Sequence, residues 1–371
     1  MNRTAELKIE LLCNGIRCEE GVAPKEYPKG GKSRAGVAGS GKNFVVNPRE
    51  EDEFVVNAGV LQPFLEISPF EFRRVDGKGW ILRNGEKVCR ATIFEPKWHS
   101  TPPGEILRLH GTSSLAIALT NVCLFKQSKM GCKFCIIDIG KERVTHRPED
   151  IANAIMEIEN NPEIRKYRDF DGMEGIVEPG DVNINSGTLE EKVMIKMYSE
   201  TAKSIRKVSD LPIGIEIAPI ERESMMELKE AGIDSIYINI EVFSEQARKS
   251  IILGKNALFS SEKYLKAMEN AVSIFGENQV ASWILIGLES VDETIKGIEA
   301  IAEAGAIPLP RAFRPLFHSE LETHPPPSVE DAKTVYSSWL EIVKLYGLDP
   351  MKTIAGCIKC GACFPIKEIL G

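Results

Sequence analysis

The sequence predicts an α/β protein whose main body is a mostly parallel sheet, closed or nearly closed into a barrel. Three observations point there. Short apolar segments alternate with amphipathic ones six times between residues 111 and 320, the rhythm of repeated strand–helix units. A chain of 371 residues with 43% hydrophobic and 27% charged residues has the composition of a globular protein and the length for a sizeable core. Six of the nine cysteines fall in two tight groups that bracket this region, Cys123/Cys132/Cys135 and Cys357/Cys360/Cys363.

Residues 1–110 read as a small β-rich amino-terminal domain. A Gly/Lys/Pro-rich stretch at 24–44 marks one long loop, and short segments such as FEFRRV (70–75) and GWILRNG (79–85) read as strands. Gly39-Ser40-Gly41-Lys42 offers glycine amides and a lysine of the kind that cradle phosphate. It lacks the spacing of a phosphate loop, because Asn43 follows the lysine, and it reads as a surface loop.

The barrel is expected over 111–320. Its strands are SLAIALT (114–120), GDVNINSG (180–187), IGIEIAPI (213–220), SIYINIEV (235–242), VASWILIGLE (280–289) and IPLPRAFRP (307–315). Helices follow at 148–160, 190–208, 222–232, 245–254 and 293–305. Ligands are expected at the carboxyl ends of these strands. Residues 321–371 form the tail, in which Ser328 caps a helix starting at Val329 before the second cysteine group.

The net charge of -8 supplies no broad basic field, so nucleic acid is not an expected partner. No apolar run reaches the roughly 18 to 20 residues of a spanning helix, no membrane is expected, and the start MNRTAELKIE has no signal-peptide core. A cytoplasmic location is expected. In a reducing compartment, clustered thiols read as metal ligands rather than disulfides.

The first cysteine group has the spacing C-x8-C-x2-C and follows the first barrel strand. Three thiolates can hold three irons of a cubane and leave the fourth open to a substrate or cofactor. Zinc is the competing reading and would want a fourth ligand, for which His146 lies eleven residues on. The second group, C-x2-C-x2-C followed by Phe364 and Pro365, is similar to the iron–sulfur run of bacterial ferredoxins without its fourth cysteine. A zinc knuckle or an electron-relay cluster competes with an auxiliary [4Fe–4S] cluster near the barrel mouth, whose fourth ligand Cys13, Cys18 or a serine would supply. Cys89 reads as a small apolar core residue.

These features resemble the radical S-adenosylmethionine superfamily, whose motif is C-x3-C-x2-C with an aromatic before the last cysteine; Phe134 holds that place. The first spacing is five residues longer here. The resemblance implies a partial (β/α)6 barrel, a catalytic [4Fe–4S] cluster on Cys123, Cys132 and Cys135, and bound S-adenosylmethionine. It assigns Asn185, Ser186 and Gly187 to the methionine amino group, and Ile286, Gly287 and Glu289 to the strand lying against adenine. Glu216 and Glu241 would meet ribose hydroxyls or a substrate cation, and Arg248 the methionine carboxylate; a rim salt bridge is the plain alternative for these three.

ELLCNGIR, IYINIEVF, WILIGLES and KCGACFP are similar to the biotin-synthase-like group that includes the archaeal two-protein lipoyl synthases. That resemblance implies a sulfurtransferase of the lipoyl synthase type. It would insert sulfur, from a second [4Fe–4S] cluster on Cys357, Cys360 and Cys363, into the octanoyl chain of a lipoyl carrier protein or octanoylated lysine peptide. A second related radical enzyme would share the insertions, and a reductase or ferredoxin would donate electrons. Radical modification of another small molecule or peptide, and a non-catalytic electron carrier, are the alternatives.

Overall fold

The computed structural model describes residues 1–22, 41–93, 95–137, 143–168, 172 and 174–371. The loop that carries Gly39 and Ser40 lies outside the described residues.

Six parallel strands build the main sheet: β1 (Ser114–Ala118), β2 (Asp181–Asn185), β3 (Ile213–Ile217), β4 (Ser235–Ile238), β5 (Val280–Ile286) and β6 (Ile307–Ala312). They pair strictly in sequence order. Alternation sorts their side chains: Val182, Ile184, Ile213, Ile215, Ile236 and Ile238 are fully buried, whereas the intervening Asn183, Glu216 and Tyr237 carry polar atoms into the barrel interior, where they meet the carboxy-terminal segment. The helices Pro148–Asn160, Glu191–Arg206, Arg222–Glu230, Ser261–Phe275 and Val291–Glu303 follow successive strands.

The sheet is open, as in the partial barrel that the resemblance implies: its order is linear, with β6 at one edge and a short antiparallel strand, Arg108–His110, at the other. One feature departs from the reading of the sequence. Between β4 and β5, residues 245–258 form two short helices, Glu245–Ile251 and Leu253–Leu258. The longer helix there is Ser261–Phe275, which the sequence reading did not anticipate.

Residues 1–110 begin with a helix, Arg3–Asn14, and continue into a six-stranded sheet. Its hairpin Gly41–Val46/Phe54–Gly59 reaches both edges of the open barrel. Asn43 donates to the carbonyl of Leu109 on the edge strand at 3.2 Å. On the other side Arg314, just past β6, donates to Asn57 Oδ1 at 3.0 Å and also to the Asn57 carbonyl. One apolar core runs through both parts, from Ile9 and Phe44 to Ile284 and Trp339. No helix is long and apolar enough to cross a membrane among the described residues.

Candidate active site

The first cysteine group follows β1. Cys123 precedes a single helical turn, Leu124–Gln127, and its neighbour Leu124 N–H donates to the Thr188 carbonyl beyond β2 at 2.8 Å. The lengthened spacing therefore folds as a compact turn rather than a free lid. Its second half is tied to the helices after β4: Gly254 N–H donates to Met130 at 2.8 Å and Lys133 N–H to Ile251 at 2.9 Å. Phe134 packs with Val242, Ile251, Ile252 and Leu285 beneath the loop, against Cys132 and Cys135.

These cysteines line one cavity at the carboxyl ends of the strands, with Phe134, Asn185, Ser186, Gly187, Glu216 and Glu241. Gly187 is there because of space. A Cβ on it would lie 2.0 Å from the Val122 carbonyl oxygen and 3.0 Å from Cys123 Cβ, so only a bare backbone lets β2 run this close to the cysteine loop. Asn185 Oδ1 is buried without a hydrogen-bond partner among the described residues, an acceptor suited to a cationic ligand group. Ser186 accepts from Tyr198, which also donates to the Glu216 carbonyl at 2.7 Å.

Glu241 lies three residues past β4 in the left-handed region at φ 68°, held by backbone bonds to Trp283 and Leu285 on β5. Its carboxylate pairs with Lys255 at 2.9 Å. Burial works against the lysine charge, but Glu241, Tyr264 and Cys132 outweigh it, and the Lys255 pKa stands well above its ordinary value. Burial pushes the Cys135 thiol up to about 11 and Cys132 well above a free thiol, so binding iron must expel the protons of these groups.

The structure does not bring every expected residue to the cavity. Arg248 is 1% exposed and spends its guanidinium on the carbonyls of Val242 and Phe259, over the Tyr264 ring. Glu289 accepts from the amides of Phe243 and Ser244 and so fixes the turn after β4. Gly287, at φ 98°, packs against Pro327, and Ile286 is buried. Conversely, Asn239, Trp283 and Lys255 line the cavity without having been singled out. Period-two alternation from Tyr237 through Asn239 to Glu241 was the available signal.

The second cysteine group lies at the opposite end, the amino-terminal ends of the strands, rather than beside the first. Gly356 N–H donates to Asp181 at the start of β2, Tyr237 donates to the Ala355 carbonyl, and a Cβ on Gly111 would meet Cys360 Sγ at 2.9 Å. The segment turns sharply because Gly356 and Gly361 take φ of 88° and 69°. From the amino-terminal part, Lys8 Nζ donates to the Gly361 carbonyl at 2.8 Å and pairs with Glu368 at 2.7 Å, while Asn57 N–H donates to Ala362 at 2.7 Å.

Glu216 links the two ends. It lines the upper cavity, yet its Oε1 is 3.5 Å from Cys357 Sγ and 3.4 Å from Asn183 Nδ2. Oε2 accepts from Asn239 at 3.3 Å. Burial raises the Glu216 pKa, against the pull of Cys357 and Arg311. Among the described residues no three Cys, His, Asp or Glu side chains converge on a single ion; a cubane requires no such convergence, since each thiolate takes a different iron. Burial pushes Cys13, Cys18 and Cys89 each up to about 12, as for thiols held protonated in a core.

Residues 117–302 match the model of the Radical SAM superfamily. The chain belongs to this superfamily. The superfamily is one that uses a [4Fe–4S] cluster and S-adenosylmethionine. The bacteriochlorophyllide c C-7(1)-hydroxylase of Chlorobaculum limnaeum is 26% identical over 261 residues, 67% of this chain and 60% of the relative. The chain thus spans about 60% of that relative's length. Methylornithine synthase shares 15% identity over 62% of this chain and 63% of its own, with a TM-score of 0.47. The FeFe-hydrogenase maturase HydG from Carboxydothermus hydrogenoformans shares 18% over 66% and 54%, with a TM-score of 0.45.

Proposed function

We propose that Cys123, Cys132 and Cys135 hold the superfamily's [4Fe–4S] cluster, and that Cys357, Cys360 and Cys363 hold a second one facing the same barrel interior from below. The observation that carries this reading is the placement of two cysteine triads at opposite ends of one interior, with Glu216 lining the cavity of the first and meeting Cys357 of the second. A substrate held between them would have the radical source above and the second cluster beneath.

When bound, S-adenosylmethionine supplies a 5'-deoxyadenosyl radical that abstracts hydrogen from an unactivated carbon. The chain's own work is to orient and to exclude water. Asn185 and Glu241 suit the cationic and hydroxyl groups of such a cofactor, Gly187 leaves room beside Cys123, and Met194, Ile217, Leu285 and Leu316 give the cavity an apolar wall. That wall accommodates an alkyl chain.

The finer reading is sulfur insertion into a protein-bound octanoyl chain, the second cluster being the sulfur donor and a ferredoxin or reductase the electron source. The partners would be the octanoylated carrier and a second related radical enzyme. The position of Cys357 directly below Glu216 supports a cluster that meets the substrate rather than one that only relays electrons. The hydroxylase relative favours a second reading, in which the substrate carbon ends up oxygenated instead.

One experiment separates these. The reconstituted protein is incubated with S-adenosylmethionine, reductant and an octanoyl-lysine peptide, alone and with a partner enzyme. 5'-Deoxyadenosine above a Cys123→Ala control is expected, with a peptide mass gain of one or two sulfur atoms. Absence of 5'-deoxyadenosine defeats the cluster assignment; its formation with no sulfur under any pairing defeats sulfur insertion alone.

A further inference from the structure

The barrel interior holds a guanidinium with no hydrogen-bond partner among the described residues. Arg311, on β6, is 1% exposed, and its Nε, Nη1 and Nη2 all lack hydrogen-bond partners among the described residues. The other arginines buried to this depth have hydrogen-bond partners for their Nη groups: Arg248 two carbonyls and Arg314 Asn57. A guanidinium in a core is ordinarily paired, because removing its hydration without replacing it is strongly unfavourable. Something anionic therefore belongs beside Arg311.

The surroundings say which side it faces. The guanidinium carbon lies 4.5 Å from the centre of the Trp283 ring, so the indole covers one face and leaves the N–H edge free. Trp283 lines the upper cavity; Arg311 does not, and so lies behind it. Its electrostatic influence falls on Glu216, Cys357 and Tyr336. Glu216 is already engaged by Asn183, Asn239 and the Cys357 thiol. Of the cysteines, Cys357 feels the Arg311 charge, and the three thiolates of that triad with the sulfides of a cluster are anionic.

We propose that Arg311 is the charge-balancing hydrogen-bond donor of the second iron–sulfur site, its N–H groups directed at the sulfurs of a cluster on Cys357, Cys360 and Cys363. The inference rests on the reading that this triad holds a cluster. Donors to cluster sulfur and a nearby positive charge favour the reduced state, so Arg311 raises the reduction potential of that cluster. It also places a cation and an indole as the partition between the two cofactor sites.

The test uses the full chain with Cys123, Cys132 and Cys135 all changed to Ala, so that only the second cluster gives a signal. Midpoint potential and electron paramagnetic resonance spectrum are measured with Arg311, Arg311→Lys and Arg311→Met, alongside iron content and circular dichroism. The Met variant is expected to have a more negative midpoint, and the Lys variant to return toward the parent. Iron lost from a folded Met variant but kept by the Lys variant supports the same role. An unmoved midpoint and spectrum in an iron-replete Met variant overturns it, as does iron lost equally from both folded variants. Intact protein binding only a single cluster's iron removes the second-cluster reading and this inference together; two clusters with an unmoved potential remove the inference alone.

Discussion

Glu241 combines an unfavourable backbone with a favourable charge. A non-glycine residue at φ 68° persists only where its surroundings over-determine it, here through backbone bonds to Trp283 and Leu285. The ion pair with Lys255 lies mostly out of solvent, each side chain being 14% exposed. Glu241→Gln is expected to cost about 3 kcal/mol in urea unfolding by leaving the lysine unpaired, and Glu241→Gln/Lys255→Met to recover much of it. Equal losses in the single and double variants would show that the pair is not what matters. His146 sets a pH dependence. Its Nε2 is buried without a hydrogen-bond partner among the described residues, and burial lowers its pKa. A group depressed in the folded state contributes stability above its unfolded pKa of about 6.5 and loses it as pH falls through the folded value. The thermal midpoint of the native protein should thus drop more between pH 7.5 and 5 than that of His146→Gln; parallel drops would refute this.

At the scale of elements, the amino-terminal helix and the carboxy-terminal segment depend on each other. Lys8 is 1% exposed, and burial lowers its pKa, against the pull of Glu368. Its ammonium is shared between Gly361, in the turn that carries Cys360 and Cys363, and Glu368. Lys8→Met should cost about 3 kcal/mol, since it strands a buried carboxylate, and should reduce the iron held by the second triad while sparing the first. Iron content measured by a colorimetric assay after reconstitution checks this; full retention would mean that the turn holds its shape unaided. The long Cys123–Cys132 spacing is likewise an element-level device, because its extra residues make the helical turn that docks on Leu253–Leu258.

For the whole molecule, the open barrel and the amino-terminal sheet complete each other. A linear sheet has two edge strands, here Arg108–His110 and β6, and the hairpin Gly41–Val46/Phe54–Gly59 reaches both sides through Asn43 and Asn57. Asn57 also holds Ala362, so the part that closes the barrel side also seats the second triad. Two clusters predict about eight irons per chain, four for each cubane. Changing Cys357, Cys360 and Cys363 together to Ala should halve that number, while 5'-deoxyadenosine formation continues. Iron near four in the intact, fully reconstituted protein would contradict the second cluster.

Much of the site was legible in the sequence because its chemistry is local. Cysteine spacing identifies thiolate sets, and the run of strands and helices between 114 and 312 follows from apolar periodicity, since each strand packs its alternate residues against a helix of its own repeat. Phe134, Asn185 and Gly187 come from the resemblance to the superfamily's motifs, and they line the cavity with the first cysteines. What the sequence could not determine depends on long-range closure. Nothing local tells that Arg248 and Glu289 spend their charges on backbone groups, or that Arg311 has no hydrogen-bond partner among the described residues. Nor does spacing alone say at which end of the barrel Cys357 lies, because that is set by Asp181, Tyr237, Lys8 and Asn57, contributed from four distant stretches of chain. Residue type and period determined the strands and the thiolate sets; burial and the meeting of remote polar groups decided which side chains face the shared interior.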